Sequence, residues 1–162
     1  MTIGRKYKLL KLFLPKVFLK LQAEQPYHKD IFFDFVQMLI SPDESAIDIG
    51  TNKGFYSYWL SKHCSRVYSF EPNPKLANDL RRTLPGNCEL YNFGLSNKSG
   101  ELVLQVPADD GLASFETNNK NVSKEGNVIS HKVLVKTLDD FYFQKIRLIK
   151  LDVEGHEIEV LE

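Results

Sequence analysis

Apolar residues recur at helical spacing near the start of the chain. At about 100° per residue, Leu9, Leu10, Phe13, Leu14, Val17, Phe18 and Leu21 share one broad arc. Lys16 and Lys20 sit at its edge, Leu12 and Leu19 fall outside it, and Pro15 kinks or restarts the helix. A second helix is predicted over residues 28–40, with Ile31, Phe32, Phe35, Val36 and Leu39 on one face. Ser41-Pro42-Asp43-Glu44 reads as a turn. The period then shortens. Residues 46–49, 67–70 and 89–93 are short runs that read as strands. Residues 55–62 and 73–84 read as helices between them, the second opened by Asn73 as cap and Pro74 in the first turn. Strand–helix–strand–helix–strand is the order of a parallel sheet. Residues 101–106 and 129–135 are also strand-like and flank a polar stretch, read as an antiparallel insertion or a long loop near a site. A short helix is predicted at 137–141, a strand at 146–151, a turn at 152–155 and a helix at 156–162.

Composition narrows the class. The 162 residues suit one domain, and 43% hydrophobic with 26% charged is an ordinary globular mix. The net charge is zero, but residues 1–22 hold six basic side chains and no acid, which leaves residues 23–162 with a net of −6. The chain therefore divides into a basic arm, 1–23, and an acidic body, 24–162. The balance gives no case for a nucleic-acid partner. The arm is too short and too charged to span a bilayer and lacks the uninterrupted apolar core of a signal peptide. It reads as an interfacial anchor on anionic lipid or as a helix packed on its own domain or a partner. The expected location is cytoplasmic, with the inner membrane face as a docking surface. Cys64 and Cys88 form no C-x-x-C pair and no disulfide framework.

Three constellations carry candidate chemistry. Asp48-Ile49-Gly50-Thr51-Asn52-Lys53-Gly54 leaves a strand and enters a helix, where a doubly wound sheet binds its ligands. Gly50 and Gly54 allow positive φ and close approach, and Asp48 can accept from a cationic or amino group. Taken alone, the loop could also be an ordinary tight turn. Glu71 follows the second strand, 21 residues beyond Gly50, where an acid accepts from both ribose hydroxyls. The loop spacing is G-x-x-x-G, not G-x-G-x-x-G, and an acid precedes it. Both features suit a positively charged adenosine cofactor better than a pyrophosphate. In the third constellation, 149–157, Lys150 and Asp152 point to one side of a strand, with Glu154, His156 and Glu157 following. Asp152, Glu154 or His156 could take a proton from an attacking hydroxyl. Asp152 with Glu154 is also a donor pair for a divalent cation, although no metal site is assigned. A surface turn with solvated charges is the plain alternative.

Asp-Ile-Gly-Thr-Asn-Lys-Gly-Phe-Tyr (48–56), Phe-Glu-Pro-Asn-Pro (70–74), Asn-Phe-Gly-Leu-Ser (92–96) and Ile-Lys-Leu-Asp-Val-Glu-Gly-His-Glu (149–157) together resemble the FkbM family of methyltransferases. The resemblance covers residues 46–162. It implies an α/β, Rossmann-like class I fold, a three-layer sandwich with a mainly parallel sheet. It also implies use of S-adenosyl-L-methionine and O-methylation of a hydroxyl on a sugar, glycan or secondary metabolite. By resemblance, Asp48, Gly50, Asn52 and Gly54 face the methionine part of the cofactor, Glu71 holds the ribose, and the turn containing Asn92 and Gly94 lies by the adenine. Such a domain continues beyond the helix that follows His156, so the expectation is a domain lacking its last strands at the C-terminus. That leaves two rivals: a non-catalytic module docking on a partner or membrane through the arm, and, less favoured by the loop spacing, a dinucleotide oxidoreductase.

Overall fold

A computed structural model of the chain describes residues 3–25, 31–107, 112–116 and 128–162. The chain opens with α1 (Ile3–Phe13) and α2 (Pro15–Ala23). Leu14 breaks them apart with non-helical φ −133° and ψ 61°, the conformation forced on a residue before proline, and Pro15 restarts the helix at its first position. The next helix is α3 (Ile31–Leu39); the predicted positions 28–30 lie outside the described residues.

The body alternates β1 (Ser45–Ile49), α4 (Phe55–Leu60), β2 (Arg66–Phe70), α5 (Pro74–Thr83) and β3 (Cys88–Tyr91). Asn73 caps α5, its side chain accepting from the Lys75 amide at 3.0 Å. Then come β4 (Gly94–Leu95), β5 (Gly100–Val106), β6 (Ile129–Lys136), a 3₁₀ turn at Leu138–Asp140, β7 (Ile146–Leu151) and α6 (Glu157–Leu161). The expected helix at 137–141 is only that one turn, closed by a Thr137–Asp140 capping box.

The main sheet has the order β3-β2-β1-β7, all pairs parallel. Every residue of β1 is buried, because it lies between two strands and between two layers. Ala46 and Val67 face Val36, Ile40 and Leu60 of the helical layer. Ile47, Ile49, Tyr68 and Phe70 face the other way, toward Leu95, Val160 and the partly buried rings of Tyr91, Phe93, Phe141 and Phe143. This is an α/β, Rossmann-like layered arrangement around a parallel sheet. Residues 94–136 resolve into a second sheet of order β4-β6-β5. Its β5 and β6 are antiparallel, from Gly100 opposite Val135 to Val106 opposite Ile129, while β4 joins β6 in parallel. The arm lies against the body: Leu19 and Ala23 are buried with Tyr58, Leu80 and Leu84. Lys11 pairs with Asp79, and Glu24 accepts from Tyr58 and Lys62.

Candidate functional site

The site is built where β1, β2 and β7 end side by side. After Ile49 the backbone enters left-handed φ at Gly50, Asn52 and Gly54, at +77°, +53° and +86°. The amides of Gly50 and Thr51 both donate to the Phe70 carbonyl, at 3.1 and 3.0 Å. Gly50 is required sterically as well as conformationally: a Cβ there would stand 2.0 Å from the backbone oxygen of Asp152. The turn thereby presses the end of β1 against the end of β7.

Glu71 is the centre of this arrangement. Its Oε2 accepts from the Asn52 amide at 2.7 Å and its Oε1 from the Asn73 amide at 2.8 Å. The side chain of Asn92 donates to the carbonyls of Glu71 and Pro72, at 2.9 and 3.3 Å. Glu71 is 5% exposed. Burial pushes its carboxyl up to about 7; the nearby Asp48 adds to the rise, and the two amide bonds oppose it.

Asp48 is turned inward, with no exposure. Ser57 donates to its Oδ2 at 2.6 Å, and Lys150 lies 3.4 Å from its Oδ1. Desolvation raises its pKa, against the pull of Lys150. The register explains the pairing, since Asp48 and Lys150 are opposite each other across β1 and β7. Lys150 also donates to the Gly50 carbonyl at 2.8 Å and stands over the Tyr56 ring at 5.0 Å. One buried ammonium thus holds both the carboxylate beneath the turn and the turn itself.

Of the sequence-predicted site residues, Gly50, Asn52, Glu71, Gly94, Asp152 and Glu154 line one cleft. Its apolar walls include Leu76, Leu95, Phe115 and Val153. A neighbouring recess shares Gly50, Asn52 and Asp152 and adds Phe55, Tyr56 and Lys150. Asp152 therefore stands at the junction of two spaces, with its side chain 62% exposed. Asp48, Gly54, Asn92 and His156 lie outside the lining. Asp48 and Asn92 are spent on the supports just described. Gly54 makes room for α5, where a Cβ would meet Leu80 at 2.8 Å. His156 is buried behind the wall, held by Ser96 and Glu116. Phe115, which seats against Gly94, carries no sequence signal because it lies in a largely polar stretch without strand or helix periodicity. Lys150 had a signal in its alternation with Asp152, but not one that pointed it at Asp48.

The family model described as the methyltransferase FkbM domain matches residues 48–162. The chain belongs to the FkbM methyltransferase family. It is 31% identical over 139 residues to the hexuronic acid methyltransferase AglP of Haloferax volcanii, covering 80% of this chain and 54% of that protein. It is 29% identical over 164 residues to Methyltransferase 1 of Beauveria bassiana, covering 83% of this chain and 64% of the relative. The chain thus spans little more than half to two-thirds of these relatives. The crystal structure of methyltransferase FkbM from Methylobacillus flagellatus superposes with a TM-score of 0.50 at 18% identity, covering 75% of this chain and 29% of that one, and shares its fold.

Proposed function

We propose that this FkbM-family chain transfers a methyl group from S-adenosyl-L-methionine to a hydroxyl on a sugar, glycan or secondary metabolite. One observation carries the choice of cofactor: among the described residues the cleft is lined by three acids, Glu71, Asp152 and Glu154, and by no lysine or arginine. Such a lining favours a cation and disfavours a pyrophosphate. Glu71 is the residue to accept from ribose hydroxyls, because its oxygens are positioned by backbone amides and retain further lone pairs. Bound there, the cofactor would supply an electrophilic methyl on a sulfonium. The chain's own part is alignment and proton removal. The recess beside Tyr56 and Lys150 is the proposed seat of the acceptor, and Asp152 at the junction is the first candidate to take its proton, with Glu154 next. His156, also a sequence candidate, stands behind the wall and supports it. The likeness to a hexuronic acid methyltransferase supports a sugar acceptor.

Calorimetric titration with S-adenosyl-L-methionine and, separately, with NAD tests the cofactor. Saturable heat with the first alone is expected; binding of NAD alone would overturn the assignment in favour of a dinucleotide oxidoreductase. Transfer of labelled methyl to a pool of glycan and small hydroxyl acceptors tests the activity. Cofactor binding with no transfer to any acceptor would leave only a binding module.

The arm supports an added docking role. Its inner face is buried, yet Phe13, Leu14, Val17 and Leu21 are 72%, 54%, 44% and 44% exposed, with Lys16 and Lys20 also in solvent. Apolar side chains beside lysines fit an anionic lipid surface. No described helix is long and apolar enough to cross a membrane. Sedimentation with anionic phospholipid vesicles, but not with phosphatidylcholine vesicles, is expected, and Phe13→Ser with Lys16→Glu should abolish it. Equal partition of wild type and variant would reject the role.

A further inference from the structure

Behind the cleft wall, Glu116, His156 and Glu159 converge. They come from two distant segments: Glu116 follows Phe115, while His156 and Glu159 stand one helical turn apart where α6 begins. The His156 side chain is 7% exposed. Ser96 Oγ meets its Nε2 at 3.0 Å, and Phe115 packs edge-on at 5.2 Å between ring centres. The ring is thereby fixed with Nδ1 aimed at two carboxylates, Glu116 Oε1 at 3.1 Å and Glu159 Oε2 at 3.6 Å. One donor atom from each of the three residues lies within 4.8 Å of the other two.

Hydrogen bonding leaves this group unfinished. Nδ1 carries at most one hydrogen, and Glu116 is the nearer acceptor. Oε2 of Glu159 is wholly buried and accepts no hydrogen bond, although the rest of that side chain is partly exposed. Even a protonated imidazole leaves one negative charge over. Burying a carboxylate oxygen without a partner is costly, and a cation would remove the cost.

We propose that His156 Nδ1, Glu116 and Glu159 form a divalent transition-metal site, with Zn²⁺ as the fitting probe. Zinc binds imidazole nitrogen and carboxylate oxygen at about 2.0–2.2 Å, so tetrahedral ligand atoms stand about 3.4 Å apart. The two distances from Nδ1 bracket that spacing. Ser96 is the outer partner that such a histidine needs: with metal on Nδ1, the Nε2 hydrogen goes to Ser96 Oγ. The cation would tie residues 112–116 to the start of α6. Ser114 and Phe115 of that segment line the cleft, so the metal braces the wall and stands outside the reacting space. The site does not depend on which cofactor or acceptor the cleft takes.

The test is calorimetry and thermal unfolding of the metal-free full chain with zinc chloride alone, without cofactor. One saturable site and a rise in Tm with zinc concentration are expected. Glu159→Gln and Glu116→Gln should each abolish the saturable heat while the metal-free variants still unfold cooperatively. Ser96→Ala should weaken binding about tenfold. His156→Ala should abolish it as well, but the two glutamine variants decide the matter because they preserve shape. Zinc affinity unchanged in both glutamine variants, affinity lost only on Cys64→Ser or Cys88→Ser, or no saturable heat in the wild type would each overturn the site.

Discussion

At the scale of single residues, Glu71 joins the electrostatics of the cleft to the stability of the fold. Its carboxyl is raised from 4.5 to about 7, so between those values the folded chain keeps a proton that the unfolded chain releases. Stability from this group is therefore lost as pH rises through that window. Glu71→Gln should flatten the fall in Tm between pH 5 and pH 8, as followed by calorimetry. In the proposed ribose-holding role Glu71 accepts in its ionised form, so affinity for S-adenosyl-L-methionine should rise as pH passes about 7, and Glu71→Gln should lower it about 10- to 100-fold, the worth of a charge-assisted hydrogen bond. Lys150 gives a second test. Lys150→Met leaves Asp48 buried without its counter-charge, a change that costs about 3–5 kcal/mol. The raised pKa of Asp48 should rise further in that variant, so denaturant titration should find a smaller loss near pH 5 than near pH 8. Gly50→Ala combines left-handed backbone with a 2.0 Å approach to Asp152 and should lower Tm by several degrees, about 2 kcal/mol or more.

At the scale of elements, β4 and the segment before Glu116 make the wall that the parallel sheet alone lacks. Ser114, 1% exposed, pairs with Gln105 of β5 through both backbone bonds and donates its hydroxyl to the Glu154 carbonyl at 2.7 Å. Phe115 then lies where any side chain on Gly94 would meet it, a Cβ standing 2.7 Å from its Cζ. Gly94→Ala should displace the ring and weaken cofactor binding with little change in the parallel sheet, measured by titration beside circular dichroism. The parallel elements were legible as sequence because each is a local run: 46–49, 67–70 and the Asn73-Pro74 helix start match β1, β2 and α5 to within a residue or two. The antiparallel pair behind the wall was legible as strands 101–106 and 129–135, but the segment 112–116 that closes it was not. Its contacts join residues about 40 positions apart, such as Ser114 with Glu154, through side chains with no periodic pattern.

At the scale of the whole molecule, the zero net charge is an arm and a body of opposite sign in contact. Lys11 with Asp79 and the Arg82 guanidinium on the Leu12 carbonyl fasten one to the other. Exposed pairs of this kind contribute little, so the apolar contact does most of the fastening. Leu19 is 3% exposed between Tyr58, Leu80 and Leu84, and Leu19→Ala should cost about 2–4 kcal/mol in chemical denaturation. A loss below about 1 kcal/mol would make the arm a loosely held appendage.

By itself, the sequence determined the alternation of strands and helices, the glycine turn after β1, the acid after β2 and the motifs that mark the family. These are set by residues near one another in the chain, where side-chain period, caps and positive-φ positions act directly. Only the tertiary structure decided which of the chemically capable side chains reach the cleft. Parallel pairing set Lys150 opposite Asp48 and turned that carboxylate into a support. The second sheet brought Phe115 over Gly94 and Glu116 onto His156, withdrawing the imidazole from the cleft and grouping it with two carboxylates. Register and sheet packing join positions far apart in the chain, so no local pattern could have assigned those roles.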